Sequence, residues 1–301
     1  MPLSADTRAW LTLVFLSLIW GTSFILIKKA LVVFNPLEVA LLRVSLSGLA
    51  FTPFFVAAFK KLEWHRWFLY LIIALTGSGI PAILFATAQT QLSSGTAGVL
   101  NSLTPIFALI VGILIFKNTT SKYQVIGILM GFVGAAFLIL MDQPIGAAAE
   151  GSHIWYGLLI VLGSILYGTN VNIVKAKMQH VNSMHLSSFA FFMLGAPLLL
   201  LIPLTEIPDK VMTHPLGWQS LGYMAILALV STVLALIIFY RLVQQTSAVF
   251  GASVAYIIPI VALVWGWIDG ESLGWTHFAG MGLIITGVYL SRRTPKLVTA
   301  H

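Results

Sequence analysis

The sequence predicts an all-α integral membrane protein: ten transmembrane helices in two inverted five-helix repeats, both termini cytoplasmic. Three observations predict it. First, 59% of the 301 residues are hydrophobic and 8% are charged, where soluble domains carry roughly 25% charged residues; the mean hydropathy is +0.98. Second, the apolar residues gather in ten runs, each near the ~20 residues that cross a bilayer core. Third, the second half of the chain repeats the first. Backbone in lipid must satisfy its own hydrogen bonds, so spans are helices or a closed barrel. These runs are too long and too uniformly apolar for barrel strands, which alternate over about ten residues.

The runs cover roughly 9–34, 36–59, 67–90, 93–116, 123–141, 154–176, 183–204, 217–241, 247–268 and 275–291. The first contains SLIWGTSFILIKKAL, Ser17 to Leu31. The sixth contains SILYGTNVNIVKAKM, Ser164 to Met178, 147 positions on. Ser17, Gly21, Thr22 and Lys28 recur there as Ser164, Gly168, Thr169 and Lys175, and Trp20 becomes Tyr167. The fourth run, with SLTPIFALIVG from Ser102, parallels the ninth, with YIIPIVALVWG from Tyr256; Pro105 and Pro259 align, 154 apart. Gly127 and Gly134 in the fifth parallel Gly280 and Gly287 in the tenth. The drift in spacing fits an insertion in the polar segment TEIPDKVMTHP between the seventh and eighth runs. The halves divide as 1–145 and 146–301. Five is odd, so the second half enters the membrane upside down, related to the first by a pseudo-two-fold axis in the membrane plane. Two inverted halves can exchange between an inward-open and an outward-open arrangement, which favours a carrier. Duplication without mechanistic meaning is the alternative.

Short cytoplasmic loops hold the basic residues. With the N-terminus inside, the inner segments hold twelve, namely Arg8, Lys60, Lys61, Arg66, Lys117, Lys122, Lys175, Lys177, Arg241, Arg292, Arg293 and Lys296; the outer segments hold Lys28, Lys29 and Lys210. This topology accounts for the net charge of +7 without nucleic acid as a partner. The N-terminal MPLSADTRAW has no cleavage pattern, so the first span is expected to stay.

The motifs LIWGTSFILIKKAL, NPLEVALLRVSLSGLAF, SSGTAGVLNSLTPIFALIVG, STVLALIIFYRLVQQTSAVFGASVAYIIPIVALVWG and GESLGWTHFAGMGLIITGVYL run in this order through nearly the whole chain. In them the sequence resembles a ten-helix member of the EamA family of the drug/metabolite transporter superfamily. The resemblance implies alternating access around a central cavity lined mainly by helices 1 to 4 and 6 to 9, with helices 5 and 10 at the rear. It also implies an inner-membrane secondary transporter that exports small polar metabolites such as amino acids. A multidrug or nucleotide-sugar-like carrier of the same fold is the alternative within that class; a membrane enzyme or lipid-handling scaffold is the alternative outside it. Family members often carry a Gly-Glu pair after helices 4 and 9. Here Gly270 and Glu271 follow the ninth run, but FKNTT, from Phe116, follows the fourth.

Several residues could line or guard such a cavity. Arg43 lies about 10 Å into its helix at 1.5 Å per residue, and an ionisable residue at that depth is costly and marks function by default. Either it meets a substrate anion, or it pairs with Glu38 or helix carbonyls, or it snorkels outward. Gln89 and Asn101 are buried amides that either face a wet cavity or bond between helices. Trp20 and Tyr167 sit at mid-depth, away from the interfaces that aromatic belts prefer. Asn170 and Asn172 add polar lining, and Tyr256 lies one turn before Pro259. Pro105 and Pro259 are expected to break their helices and free carbonyls. Lys28 and Glu38 are candidates for the outer mouth; snorkelling is the other reading of Lys28. Gly127, Gly131 and Ala135 form a close-packing face, within the fold or in a dimer.

Other chemistry is thin. There is no cysteine, no paired histidine spacing, no Walker loop and no acidic metal motif, so no cofactor, no metal and no enzymatic activity are expected. Asp6 and Glu63 fall inside and the other acids outside, Glu38, Asp142, Glu150, Glu206, Asp209, Asp269 and Glu271, none near the membrane centre. The expected partners are a small-molecule substrate and the lipid bilayer, and the expected state is a monomer.

Overall fold

In the computed structural model, which describes residues 5–61, 63–115, 117, 121–141 and 152–291, the chain is a helical bundle. Its long elements are α1 (Thr7–Ala30), α2 (Pro36–Lys61), α3 (Trp64–Ala88), α4 (Ser94–Leu114), α5 (Lys122–Leu140), α6 (Ile154–Lys177), α7 (Ser183–Leu204), α8 (Gly217–Gln245), α9 (Phe250–Ile268) and α10 (Trp275–Leu290). Among the described residues, nine of these are long and apolar enough to cross a membrane; α10 is apolar but shorter. Each of the ten apolar runs is therefore a helix, and nine meet the length of a span. Phe116, Asn118 to Thr120, Asp142, Glu150, Arg292, Arg293, Lys296 and the boundary between residues 145 and 146 lie outside the described residues.

Local chemistry sets the ends. Asn35 and Glu38 form a reciprocal capping box at the start of α2, with Glu38 N–H donating to Asn35 Oδ1 at 3.0 Å and Asn35 N–H to Glu38 Oε2 at 2.8 Å. Pro36 is at the first helical position, where its missing N–H costs nothing. This cap stops α1 at Ala30 instead of Phe34: residues 31–34 form the turn that leads into Asn35. Asn182, 147 positions after Asn35, caps α7 through Met184 N–H at 2.9 Å. Ser93 caps α4 through Thr96 N–H at 3.0 Å.

Four of the helices are interrupted inside the bundle. In α4 the helix from Ser94 stops at Asn101 and a new one starts at Thr104. Pro105 has no N–H to offer the Asn101 carbonyl, which instead accepts from Thr104 Oγ1 at 2.8 Å. In α9 a 3₁₀ turn, Ser253–Tyr256, precedes the helix Ile258–Ile268 that carries Pro259. There the Val254 carbonyl accepts from Ser17 Oγ of α1 at 2.8 Å. The proline breaks expected from the sequence are both present. α3 and α8 each widen into a π-helical turn, at Leu75–Gly79 and Leu229–Leu234, whose starts are 154 positions apart. Such π segments cluster at functional sites.

Glycines let the helices approach closely. A Cβ added at Gly48 of α2 would meet Gly195 Cα of α7 at 2.7 Å, and these glycines are 147 apart. Gly287 of α10 packs on the backbone of Gly127 and Gly131 of α5, while Gly280 of α10 faces the Gly134 carbonyl. The small-residue face of α5 is thus used inside the fold, against α10. Gly21 of α1 packs on Val261 of α9, and Gly168 of α6 on Phe107 and Ala108 of α4.

Candidate functional site: a central cavity and the ion cluster above it

A cavity lies between the two halves. About 770 Å³ there is unfilled by atoms, the space at its open mouth included. Seven helices line it: Trp20, Ser23, Phe24 and Ile27 from α1; Arg43 from α2; Gly77 and Phe85 from α3; Asn101 and Thr104 from α4; Tyr167, Asn170 and Val171 from α6; Ser231, Leu236 and Phe239 from α8; and Ala252, Val254, Ala255 and Ile258 from α9. α5 and α10 contribute nothing to this wall, as the family resemblance implied; nor does α7, which it did not.

Five of the seven cavity candidates therefore meet in one place: Trp20, Arg43, Asn101, Tyr167 and Asn170. Gln89 is buried at the end of α3, its amide nitrogen 3.5 Å from the Phe85 carbonyl, and does not line the cavity. Tyr256 turns toward α10, where its hydroxyl donates to the Val288 carbonyl at 3.4 Å. Asn172 donates to the Ala108 and Gly168 carbonyls, both at 2.8 Å, as a link between α6 and α4.

The wall is fixed by hydrogen bonds to the π turns. Trp20 Nε1 donates to the Ser231 carbonyl at 2.7 Å, and its ring meets Phe239 edge-on at 4.9 Å. Asn170 Nδ2 donates to the Ile73 carbonyl at 2.9 Å and to Thr76 Oγ1 at 3.1 Å. Arg43 Nε donates to Thr232 Oγ1 at 3.1 Å, and that hydroxyl donates to the Leu227 carbonyl at 3.0 Å. The Ser231 carbonyl and the Thr76 and Thr232 hydroxyls belong to the π turns, and the Ile73 and Leu227 carbonyls lie two residues before them. The pairing of Arg43 with Glu38 that the sequence allowed does not form. Glu38 faces the loop before α8, where Lys210 Nζ donates to both its oxygens at 2.9 Å.

One end of the bundle, beyond the cavity, carries an ion cluster. Lys28 Nζ donates to Glu271 Oε1 at 2.7 Å and lies 3.1 Å from Asp269 Oδ2; Lys29 pairs with Asp269. Glu271 also accepts from Ser94 N–H at 2.9 Å, Ser94 Oγ at 2.8 Å and Gly95 N–H at 3.2 Å. A carboxylate at a helix start meets unpaired N–H groups and the positive end of the dipole. Burial raises the Glu271 pKa, but the bonds from Lys28, Ser94 and Gly95 outweigh it and hold the carboxyl below its ordinary value. Asp269 is likewise lowered overall, against its burial, by Lys29 and Lys28. Hydrogen bonds to Glu206 and Glu38 raise Lys210. Lys28 and Glu38, the mouth candidates, thus lie in ion pairs at the same end.

The opposite end differs. Lys175, the repeat partner of Lys28, donates to the Gln244 and Thr246 carbonyls at 2.9 and 2.7 Å. No carboxylate joins it among the described residues; Lys117 stands 154 positions before Glu271. Glu63 there binds Arg66 and His180, both at 2.9 Å. Sequence reasoning missed Thr232, Ser231 and the rings of Phe24, Phe85 and Phe239. The repeat spacing of 154 did relate Gly77 and Ser78 to Ser231 and Thr232, a signal that could have found the π turns.

A bundle of apolar helices around a cavity with polar and aromatic walls is an architecture suited to a membrane transporter. A model of the EamA-like transporter family matches residues 7–140 and again 154–293, and the chain belongs to that family. It is a multi-pass membrane protein. Among its curated relatives, an "uncharacterized transporter" of Archaeoglobus fulgidus is 23% identical over 94% of this chain and 98% of its own length. The "uncharacterized inner membrane transporter YedA" of Escherichia coli K12 is 26% identical over 91% of this chain and 87% of its own. A "probable amino-acid metabolite efflux pump" of Salmonella typhimurium is 27% identical over 93% and 95%. A protein of known crystal structure shares the fold at TM-score 0.63 and 14% identity, covering 95% of this chain and 96% of its own.

Proposed function

We propose that the protein is a secondary transporter of small polar metabolites, amino acids first among them, and that it works by alternating access around the central cavity. The observation that carries this is the cavity itself, walled by α1 to α4 from one half and α6, α8 and α9 from the other. The amino-acid assignment draws on the name of the Salmonella relative.

Inverted symmetry is part of the reading, and the packing supports it. Gly127 meets Gly287 while Gly134 meets Gly280, and 127 and 134 correspond to 280 and 287. Contacts exchanged in this way are those of a two-fold axis. The pairings α1 with α9 and α6 with α4 are related in the same way, as are the two π turns. In this scheme ten segments span the membrane, both termini are cytoplasmic, and the ion cluster of Lys28, Asp269 and Glu271 closes the outer mouth. One chain holds the whole cavity wall, so in this scheme the working form is a monomer in the bilayer and the transported molecule leaves chemically unchanged.

Reconstituted vesicles test this. Labelled amino acids are expected to enter vesicles faster with the protein than without it, and faster still when unlabelled amino acid is preloaded. Flux equal to that of empty vesicles for every amino acid would remove the assignment.

A further inference from the structure

Arg43 is 8% exposed, and its charge has no counter-ion among the described residues. A guanidinium has five N–H donors. Arg43 uses one, from Nε to Thr232. The other four have no hydrogen-bond partner among the described residues, and no carboxylate among them lies within ion-pair distance. The acid on its own helix, Glu38, is held by Lys210 and Asn35. Stripping water from a cation is costly unless an anion compensates it, and a guanidinium fork fits a carboxylate through two parallel bonds. Thr232 holds the near side of the group, which leaves the fork for the cavity.

The rest of the wall tells what else a ligand must carry. The Thr104 hydroxyl proton goes to the Asn101 carbonyl at 2.8 Å, and the Asn101 amide N–H groups, which have no hydrogen-bond partner among the described residues, are further donors to an anion at the wall. No acidic side chain among the described residues lines the cavity. The Trp20 indole N–H is already bound, and the rings of Trp20, Phe24, Phe85 and Phe239 offer an apolar bed. An ammonium group would meet ring faces and hydroxyls but no carboxylate.

We propose that the cavity selects a monocarboxylate with an apolar, ring-sized body, seats its carboxylate on Arg43, and needs no amine on the ligand. This rests on the cavity being the substrate site. It extends the transport reading from amino acids to the deaminated acids that share their carboxylate and side chain.

The test is calorimetric titration of the purified protein in detergent at pH 7 with 3-phenylpropionate, 3-phenylpropanamide and phenylalanine. The acid is expected to bind at least about tenfold more tightly than the amide, and phenylalanine no more tightly than the acid. Arg43→Gln is expected to bring the acid to the level of the amide. Because Arg43→Gln can fail to fold, the wild-type comparison decides by itself. Equal affinity for acid and amide, no binding of the acid, or tighter binding of phenylalanine than of the acid would each overturn the proposal. So would an acid preference that survives in a folded Arg43→Gln protein. Flux of the same compounds separates this from the transport reading. Selective acid binding without flux removes transport and leaves the selection; flux with no difference between acid and amide does the reverse.

Discussion

Glu271 accepts four hydrogen bonds, three from the start of α4 and one from Lys28. It thereby ties the loop after α9 to both α4 and the end of α1. Glu271→Gln keeps the shape and loses the charge. It is expected to destabilise the protein by about 1–2 kcal/mol, the low end for charged hydrogen bonds, because Lys28 is a third exposed and water screens it. Lys28→Met should cost a similar amount, and the double variant less than the sum, since both remove the same contact. Thermal unfolding in detergent checks this; additive losses would mean that the pair is not coupled. The pH dependence follows from the direction of the shift. The folded carboxyl titrates below its ordinary 4.5, so its contribution is complete above that pH and is lost as pH falls through the folded value. Stability differences between wild type and Glu271→Gln should therefore be flat from pH 6 to 8 and shrink below about pH 4.5.

At the scale of elements, the breaks in α4 and α9 and the π turns of α3 and α8 give the bundle its polar interior. Pro105→Ala restores an N–H that can reach the Asn101 carbonyl, in competition with Thr104. Pro259→Ala does the same near Ala255. Both variants are expected to reach the membrane at normal levels and to transport with altered kinetics, read in the vesicle assay. Unchanged kinetics in both would detach the breaks from transport. The contact of α2 with α7 is a backbone approach, with Gly195 Cα 2.7 Å from a Cβ placed on Gly48. Gly48→Leu cannot be absorbed by a rotamer change and should cost about 1–3 kcal/mol, the usual scale of overpacking. Gly222, where an added Cβ meets nothing within 4 Å, is the control: Gly222→Leu should leave the melting temperature near that of the wild type.

For the whole molecule, orientation is the first quantity to measure. The chain has no cysteine, so single introduced thiols report alone. Asp209→Cys lies at the end of the bundle that carries Lys210 and Glu38, and Lys177→Cys at the end that carries Glu63 and Arg66; both positions are exposed. A membrane-impermeant thiol reagent added to intact cells should label Asp209→Cys and spare Lys177→Cys. The opposite pattern would invert the topology and move the Lys28–Glu271 cluster to the cytoplasmic mouth.

The sequence by itself determined the solvent, the apolar helical spans, the family and the repeat. Each depends on residue order alone: apolar runs of about 20 residues must become helices in lipid, and a shared register is visible wherever the same residues recur. It also brought out Trp20, Arg43, Asn101, Tyr167 and Asn170, because polar and aromatic residues in mid-span are conspicuous against an apolar background. Only the tertiary structure decided their partners. Arg43 lies 189 positions from Thr232, and Trp20 lies 211 from Ser231. No local pattern encodes pairings at that distance. Gln89 and Tyr256 are an amide and a phenol like Asn101 and Tyr167, but one sits at the end of α3 and the other turns toward α10, away from the cavity. The Glu271 site was hidden for a related reason. Its acid, its lysine and the helix start it caps come from three segments, and their meeting depends on how α1, α4 and α9 cross.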